Sequence, residues 1–285
     1  DHLDLHSFPT RRSSDLFDLH LTLSCGQVFR WVRDCDWWTG VVGDTVVRIR
    51  QDGNRLTFSG ADRLFIREYF HLDGDLPAIL AGIDRDTLMH ETIRKNRGLR
   101  IIRQPPWECL ASYICATYAN IPGIKKRISL LSEKFGEQVS SGSETYYSFP
   151  TPDSLAECLP GDLRSCSVGY RASFLADTAR IVADSPGWEE SVRELSFNDA
   201  RRVLLSLKGV GRKVADCVLL FGFQRYESFP VDVWIERIMK HCYGSGRELK
   251  RYEEIAGLGR ELFGAYAGYA QEYLFCDRER IMTGC

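Results

Sequence analysis

Residues 204–223 read LLSLKGVGRKVADCVLLFGF, and this stretch decides the fold. Apolar residues at helical spacing run to Leu207, Gly209-Val210-Gly211 interrupts them, and a second helical pattern opens at Arg212. The two glycines allow backbone angles that a side chain would forbid and let another backbone come close. At the start of the second helix, unpaired N–H groups and the positive end of the dipole point outward, which suits a phosphate. Residues 199–225 carry six Arg/Lys (201, 202, 208, 212, 213, 225) against two acids (199, 216), a local balance of +4 in a chain whose formal net charge is −2. Whole-chain composition hides this patch.

A Gly-x-Gly turn alone is usually an ordinary helix connection. With helical patterns on both sides and Lys213 two residues past the second glycine, it matches the helix–hairpin–helix DNA-binding motif, in which Gly209, Val210 and Gly211 hold the backbone. Lys213 falls in the first turn of the second helix, where the dipole opposes a cation and Val214, Ala215 and Val218 are its sequence neighbours. Both effects favour loss of the proton, and only a neutral amine attacks. A solvated lysine touching phosphate fits the local sequence equally well. Nineteen residues on, Phe229-Pro230-Val231-Asp232 ends an extended segment and places Asp232 as the N-cap of VWIERIMKHC. Such an Asp is usually only a cap. The other use is a fixed carboxylate beside developing positive charge.

Outward from this hairpin, residues 16–58 read as short strands, FDLHLTL, QVFRWVR, DWWTGVV, TVVRIR and RLTFSG, separated by Gly and Asp turns. Beyond residue 61 the period becomes helical, with ADRLFIREYFHL, PWECLASYICATYA, YRASFLADTARIVAD and a long final run, EEIAGLGRELFGAYAGYAQEYLFC. The expected class is α+β: an N-terminal antiparallel sheet domain with flanking helices (16–104) packed on an all-α domain (105–285) that contains the hairpin at 199–223. Residues 1–15, DHLDLHSFPTRRSSD, show neither period, resemble translated adapter sequence, and are set aside as a non-native leader. The 285 residues are 44% hydrophobic and 27% charged, which excludes a disordered or fibrous chain. Ten cysteines include no C-x-x-C pair, and the only two histidines spaced H-x-x-x-H, His2 and His6, fall in the stretch set aside as a leader, so metal and cofactor are expected to be absent. Without a long apolar run or a signal-peptide pattern, an intracellular protein with free thiols and no membrane contact is expected.

L-x-G-V-G-x-K-V-A-D-C followed at this spacing by F-P-V-D resembles the helix–hairpin–helix/Gly-Pro-Asp superfamily of DNA glycosylases, and within it the 8-oxoguanine DNA glycosylases. Ser24-Cys25-Gly26-Gln27-Val28-Phe29-Arg30-Trp31 is similar to that family's S-G-Q-x-F-R-W segment with one change of spacing. Leu99–Gln104 leading into Trp107-Glu108-Cys109-Leu110 is similar to the entry of its helical domain. Val168-Gly169-Tyr170-Arg171-Ala172 resembles its G-Y-R-A loop, and Ala270-Gln271-Glu272-Tyr273-Leu274-Phe275 its A-Q-x-x-L-F helix.

The resemblance implies a monomeric base-excision enzyme, in the cytoplasm or nucleus, that acts on double-stranded DNA carrying oxidised guanine. Lys213 would attack C1′, expel the base and form a Schiff base that permits β-elimination. Asp232 would stabilise the sugar's positive charge. The Gly26 carbonyl would accept the N7–H that distinguishes 8-oxoguanine from guanine, Cys217 and Phe275 would sandwich the flipped base, and Gln271 would bond its Watson–Crick edge. Lys213 and Cys217, like Gln271 and Phe275, are four apart on one helix face, so each pair can address one cavity. Read without the resemblance, Cys217 and Phe275 are more often plain core. Tyr170 would fill the vacated gap and Arg171 would reach the orphaned base.

Tyr118-Ala119-Asn120-Ile121-Pro122-Gly123 aligns with N-N-N-I-x-R of eukaryotic members; Asn120 is kept as a DNA contact, while Tyr118 and Gly123 replace two donors to cytosine. Trp234 replaces a histidine of the same subgroup, so the resemblance is closer to bacterial-type members. Two alternatives remain open: a glycosylase of the same superfamily for alkylated or oxidised pyrimidine bases, and a non-catalytic DNA-binding module, which Lys213 disfavours.

Overall fold

The computed structural model describes residues 5–9, 17–244 and 246–283. Five strands form an antiparallel sheet in the order β1-β5-β4-β3-β2: β1 (His6–Pro9), β2 (Trp31–Asp34), β3 (Trp37–Val42), β4 (Thr45–Asp52) and β5 (Arg55–Ser59). Two-residue turns join β2 to β5 in sequence, and each begins at positive φ: Cys35 at 51°, Gly43 at 61°, Gly53 at 53°. Trp31 lies over Gly40, where an added Cβ would stand 2.4 Å from the indole. Trp31, Ile49, Leu56 and Phe58 pack with Ile66 and Phe70 of the following helical segment into one core.

Several expectations are corrected here. FDLHLTL is not a strand: Asp18 accepts the Leu21 N–H at 2.8 Å and caps the helix Leu19–Ser24, which buries Leu19, Thr22 and Leu23 at helical spacing. His6–Pro9, within the stretch set aside as a leader, pairs with β5; residues 1–4 and 10–15 of that stretch lie outside the described residues. The second domain is not all-α, because β6 (Gln138–Ser141) and β7 (Glu144–Tyr147) form a hairpin around Gly142 at φ 61°. The final helical run breaks at Gly264, φ 60°, into Tyr252–Phe263, a 3₁₀ turn and Ala267–Cys276. The helices Leu76–Ile83 and Thr87–Lys95 place Leu76, Ile79, Ile83 and Met89 in the same core as the helices beyond residue 104. Gln27 ties the segment after the first helix to residues 100–102, the stretch that leads into the second part. Its side chain donates to Thr22 O at 3.0 Å and Arg100 O at 2.8 Å and accepts the Ile102 N–H at 2.8 Å.

Candidate active site

The helices Phe197–Ser206 and Arg212–Phe221 flank the Leu207–Gly211 turn. They are pinned by Asp216, fully buried, which accepts from Arg201 Nε at 2.6 Å and Nη2 at 3.3 Å and from the Tyr252 hydroxyl at 2.7 Å. Burial raises the Asp216 carboxyl and Arg201 pulls it back. The Tyr252 oxygen also accepts the Val231 N–H at 3.2 Å. One residue later Asp232 caps the helix Val233–Ile238, its Oδ1 taking the Ile235 N–H at 2.8 Å. Lys213 and Asp232 therefore stand on two helix starts that are linked through Asp216 and Tyr252.

Only one of the two turn glycines is demanded by the fold. Gly209 has φ 78°, and an added Cβ would lie 2.7 Å from Phe174 Cβ. Gly211 is exposed and extended, φ −88° and ψ 179°, with no atom within 4 Å of an added Cβ. It caps the helix without a side chain, which leaves the first N–H groups to solvent. Val210 is buried, and Thr178 Oγ1 donates to Lys208 O at 3.0 Å, anchoring the turn.

The +4 count overstates the free positive charge. Arg201 is committed to Asp216 and Glu253, Arg212 lies 3.3 Å from Glu253, Lys208 2.9 Å from Asp177, and Arg202 pairs with Asp199. Arg225 donates to the carbonyls of Arg193 and Leu195. Arg212, Lys208 and Arg202 are more than half exposed, where such pairs are worth at most about 1 kcal/mol and exchange readily for phosphate. Arg201 is structural.

Lys213, Asp232, Gly26, Cys217, Gln271 and Phe275 line one pocket of about 130 Å³. Six residues singled out in four separate segments thus meet. Gly26 has φ 104°, and an added Cβ would stand 3.1 Å from Ile121 Cδ1 and 3.5 Å from Phe275 Cε1, so the position is closed to side chains. Burial pushes the Cys217 thiol up to about 12. The Arg278 guanidinium lies 4.3 Å from the centre of the Phe275 ring. The pocket also holds residues that sequence reasoning missed. Tyr113 stacks on Phe221 at 5.7 Å and holds the Lys213 ammonium 5.2 Å from its ring centre; nothing in its helical run set it apart. Glu272, 3% exposed, is the one acid in the run AGYAQEYLFC, and that was its available signal.

Tyr170 is exposed at the start of the helix Arg171–Ala183. Its neighbour Arg171 does not reach outward as expected: it is 5% exposed, lies 4.4 Å under the Tyr170 ring, and donates to Thr117 Oγ1 at 3.1 Å, to Val168 O at 3.3 Å and to Thr117 O. A side chain so placed satisfies the carbonyls that end the preceding segments. Asn120 is exposed, and its Oδ1 caps the helix Ile121–Phe135 through the Gly123 N–H at 2.9 Å. Tyr118 is 99% exposed at φ 48°.

Comparison with known proteins places this architecture. The model for the 8-oxoguanine DNA glycosylase N-terminal domain matches residues 9–110, and that for HhH-GPD superfamily base excision DNA repair proteins matches residues 124–264. A probable N-glycosylase/DNA lyase of Methanothermobacter thermautotrophicus is 35% identical over 238 residues, covering 75% of this chain and 74% of the relative. The chain belongs to the 8-oxoguanine DNA glycosylase family. An N-glycosylase/DNA lyase of Saccharomyces cerevisiae is 30% identical over 304 residues, 89% of this chain and 81% of the relative. The solved 8-oxoguanine glycosylase/lyase of Clostridium acetobutylicum, in complex with double-stranded DNA containing cytosine opposite 8-oxoguanine, matches with a TM-score of 0.87 and 35% identity over 93% of this chain and 92% of that one. The family's pairing of an antiparallel sheet with a helix–hairpin–helix domain is the architecture expected from the sequence.

Proposed function

We propose that this chain removes 8-oxoguanine from duplex DNA and can nick the strand at the same site. One observation carries the reading: Lys213 and Asp232 line a single pocket whose walls include Cys217 and Phe275. The target nucleotide leaves the stack, since C1′ is out of reach inside a duplex. The Lys213 amine attacks C1′, and the C1′–N9 bond breaks with its electron pair departing on the base. One of the nitrogen's protons passes to O4′ as the C1′–O4′ bond breaks, and the opened sugar is held as a protonated imine that can accept electrons in the next step. Loss of a C2′ proton then breaks the C3′–O bond, which is the nick. The Asp232 carboxylate stands beside the positive charge that develops on the sugar. Gly26 supplies the carbonyl for N7–H, a contact that guanine's bare N7 would turn into acceptor against acceptor. Gln271 bonds the Watson–Crick edge, Tyr170 fills the gap, the Gly209-Val210-Gly211 turn holds phosphate, and Asn120 adds a further DNA contact.

Borohydride trapping on an 8-oxoguanine duplex tests the nucleophile. Wild-type protein is expected to trap covalently, and Lys213→Gln to lose trapping and excision while still binding the duplex. Excision by Lys213→Gln without any trapping by wild type would overturn the assignment.

A further inference from the structure

The pocket contains an acid that this reaction scheme leaves unused. Glu272 follows Gln271 on the helix Ala267–Cys276, and both line the pocket while being at least nine-tenths buried. A buried carboxylate is retained where partners satisfy it. The thiol of Cys25, the residue before Gly26, donates to Thr22 O at 3.3 Å, while Glu272 Oε1 has no partner, and Gln271 Oε1 has none either. The wall beside Lys213 thus offers two orphaned acceptor oxygens on consecutive residues.

Two acceptors call for a ligand edge with two donors. A guanine base carries N1–H and the exocyclic N2 amine side by side, and oxidation at C8 leaves that edge unchanged. Resting on the 8-oxoguanine reading above, we propose that Glu272 reads the lesion's exocyclic amine, its Oε1 accepting an N2–H while Gln271 Oε1 accepts N1–H. Gly26 then selects for oxidation and Glu272 for guanine origin. An oxidised adenine has only C–H at position 2 and would leave the carboxylate orphaned.

The surroundings agree with an acceptor that waits for a donor. Burial pushes the Glu272 carboxyl up to about 7; the neighbouring Cys25 thiol and the charges of Arg278 and Lys213 lower it, and Asp232 raises it. A bound N–H adds to the groups that favour the ionised form.

The test compares two lesions opposite cytosine, 8-oxoguanine and 8-oxohypoxanthine, which lacks only the exocyclic amine, in single-turnover excision. Glu272→Met keeps the length of the side chain and removes the acceptor; it is expected to slow 8-oxoguanine roughly tenfold or more and 8-oxohypoxanthine by no more than about twofold. Glu272→Gln, which keeps an acceptor oxygen, should recover most of the 8-oxoguanine rate. Equal slowing of the two lesions, or none on either, would make Glu272 a packing group and overturn the proposal. Wild-type protein that excises neither lesion would instead sink the activity reading on which it rests.

Discussion

The Tyr252 hydroxyl donates to Asp216 Oδ2 at 2.7 Å while accepting the Val231 N–H at 3.2 Å. One oxygen therefore ties the helix that carries Lys213 to the residue that precedes Asp232. Tyr252→Phe keeps the ring and removes both bonds, leaving Asp216 to Arg201. The expected loss of stability is about 1–2 kcal/mol by denaturant melts. Excision should fall roughly tenfold, with duplex affinity unchanged, because attack depends on the relative placement of the two helix starts. Normal single-turnover rates would show that the tyrosine only buttresses the fold.

Asp232→Asn separates the cap from the charge. Asn caps as well as Asp, so the melting temperature should hold. The excision rate should drop about 10²-fold as the carboxylate is lost from beside the developing charge. A large fall in melting temperature at near-normal turnover would reduce Asp232 to a cap.

The two turn glycines should behave differently. Gly209→Ala forces a side chain into φ 78° and against Phe174, so it should cost about 1–3 kcal/mol of stability. Gly211→Ala meets no neighbour and should leave stability intact, yet weaken damaged and undamaged duplexes alike, because the methyl stands where phosphate approaches the exposed N–H groups. Thermal melts and binding to both duplexes check the split. Selective loss of lesion preference in Gly211→Ala would mean that the turn reads the base.

Arg171 is engaged by Thr117 and Val168, Tyr118 offers one hydroxyl and Gly123 no side-chain donor, so an orphaned base would meet few hydrogen-bond partners. Excision of 8-oxoguanine opposite C, A, G and T should differ by less than about tenfold, since each missing pair is worth about 1–3 kcal/mol. Arg171→Ala should lower the melting temperature and leave these ratios as they are. A strong preference for cytosine that Arg171→Ala abolishes would show that the side chain swings outward on DNA.

Glu272 should also leave a mark on stability. Its carboxyl is raised from 4.5 to about 7, chiefly by burial, so the folded protein holds a proton that the unfolded chain has released. Its contribution is intact below about pH 4.5 and is lost as pH rises through 7, at most about 3 kcal/mol in all. Melts of wild type from pH 5 to 8 should decline more steeply than those of Glu272→Gln. Parallel curves would show that the carboxyl is ionised throughout.

The hairpin, the cap at Asp232 and the meander from β2 to β5 were legible because turn chemistry and periodicity act over a few neighbouring residues. Lys213 with Cys217 and Gln271 with Phe275 could be paired because helical spacing puts residues four apart on one face. Tertiary structure alone decided which face each element turns inward. FDLHLTL has both readings, and burial of Leu19, Thr22 and Leu23 selects the helix. The basic count of residues 199–225 could not reveal that Lys208 meets Asp177, 31 positions away, or that Arg201 meets Glu253, 52 away. The inward turn of Arg171 and the arrival of Tyr113 and Glu272 in the pocket depend likewise on segments remote in sequence. A chain writes its local preferences residue by residue, but the partner of a charge or a buried acid is supplied by whatever distant segment the packing brings beside it.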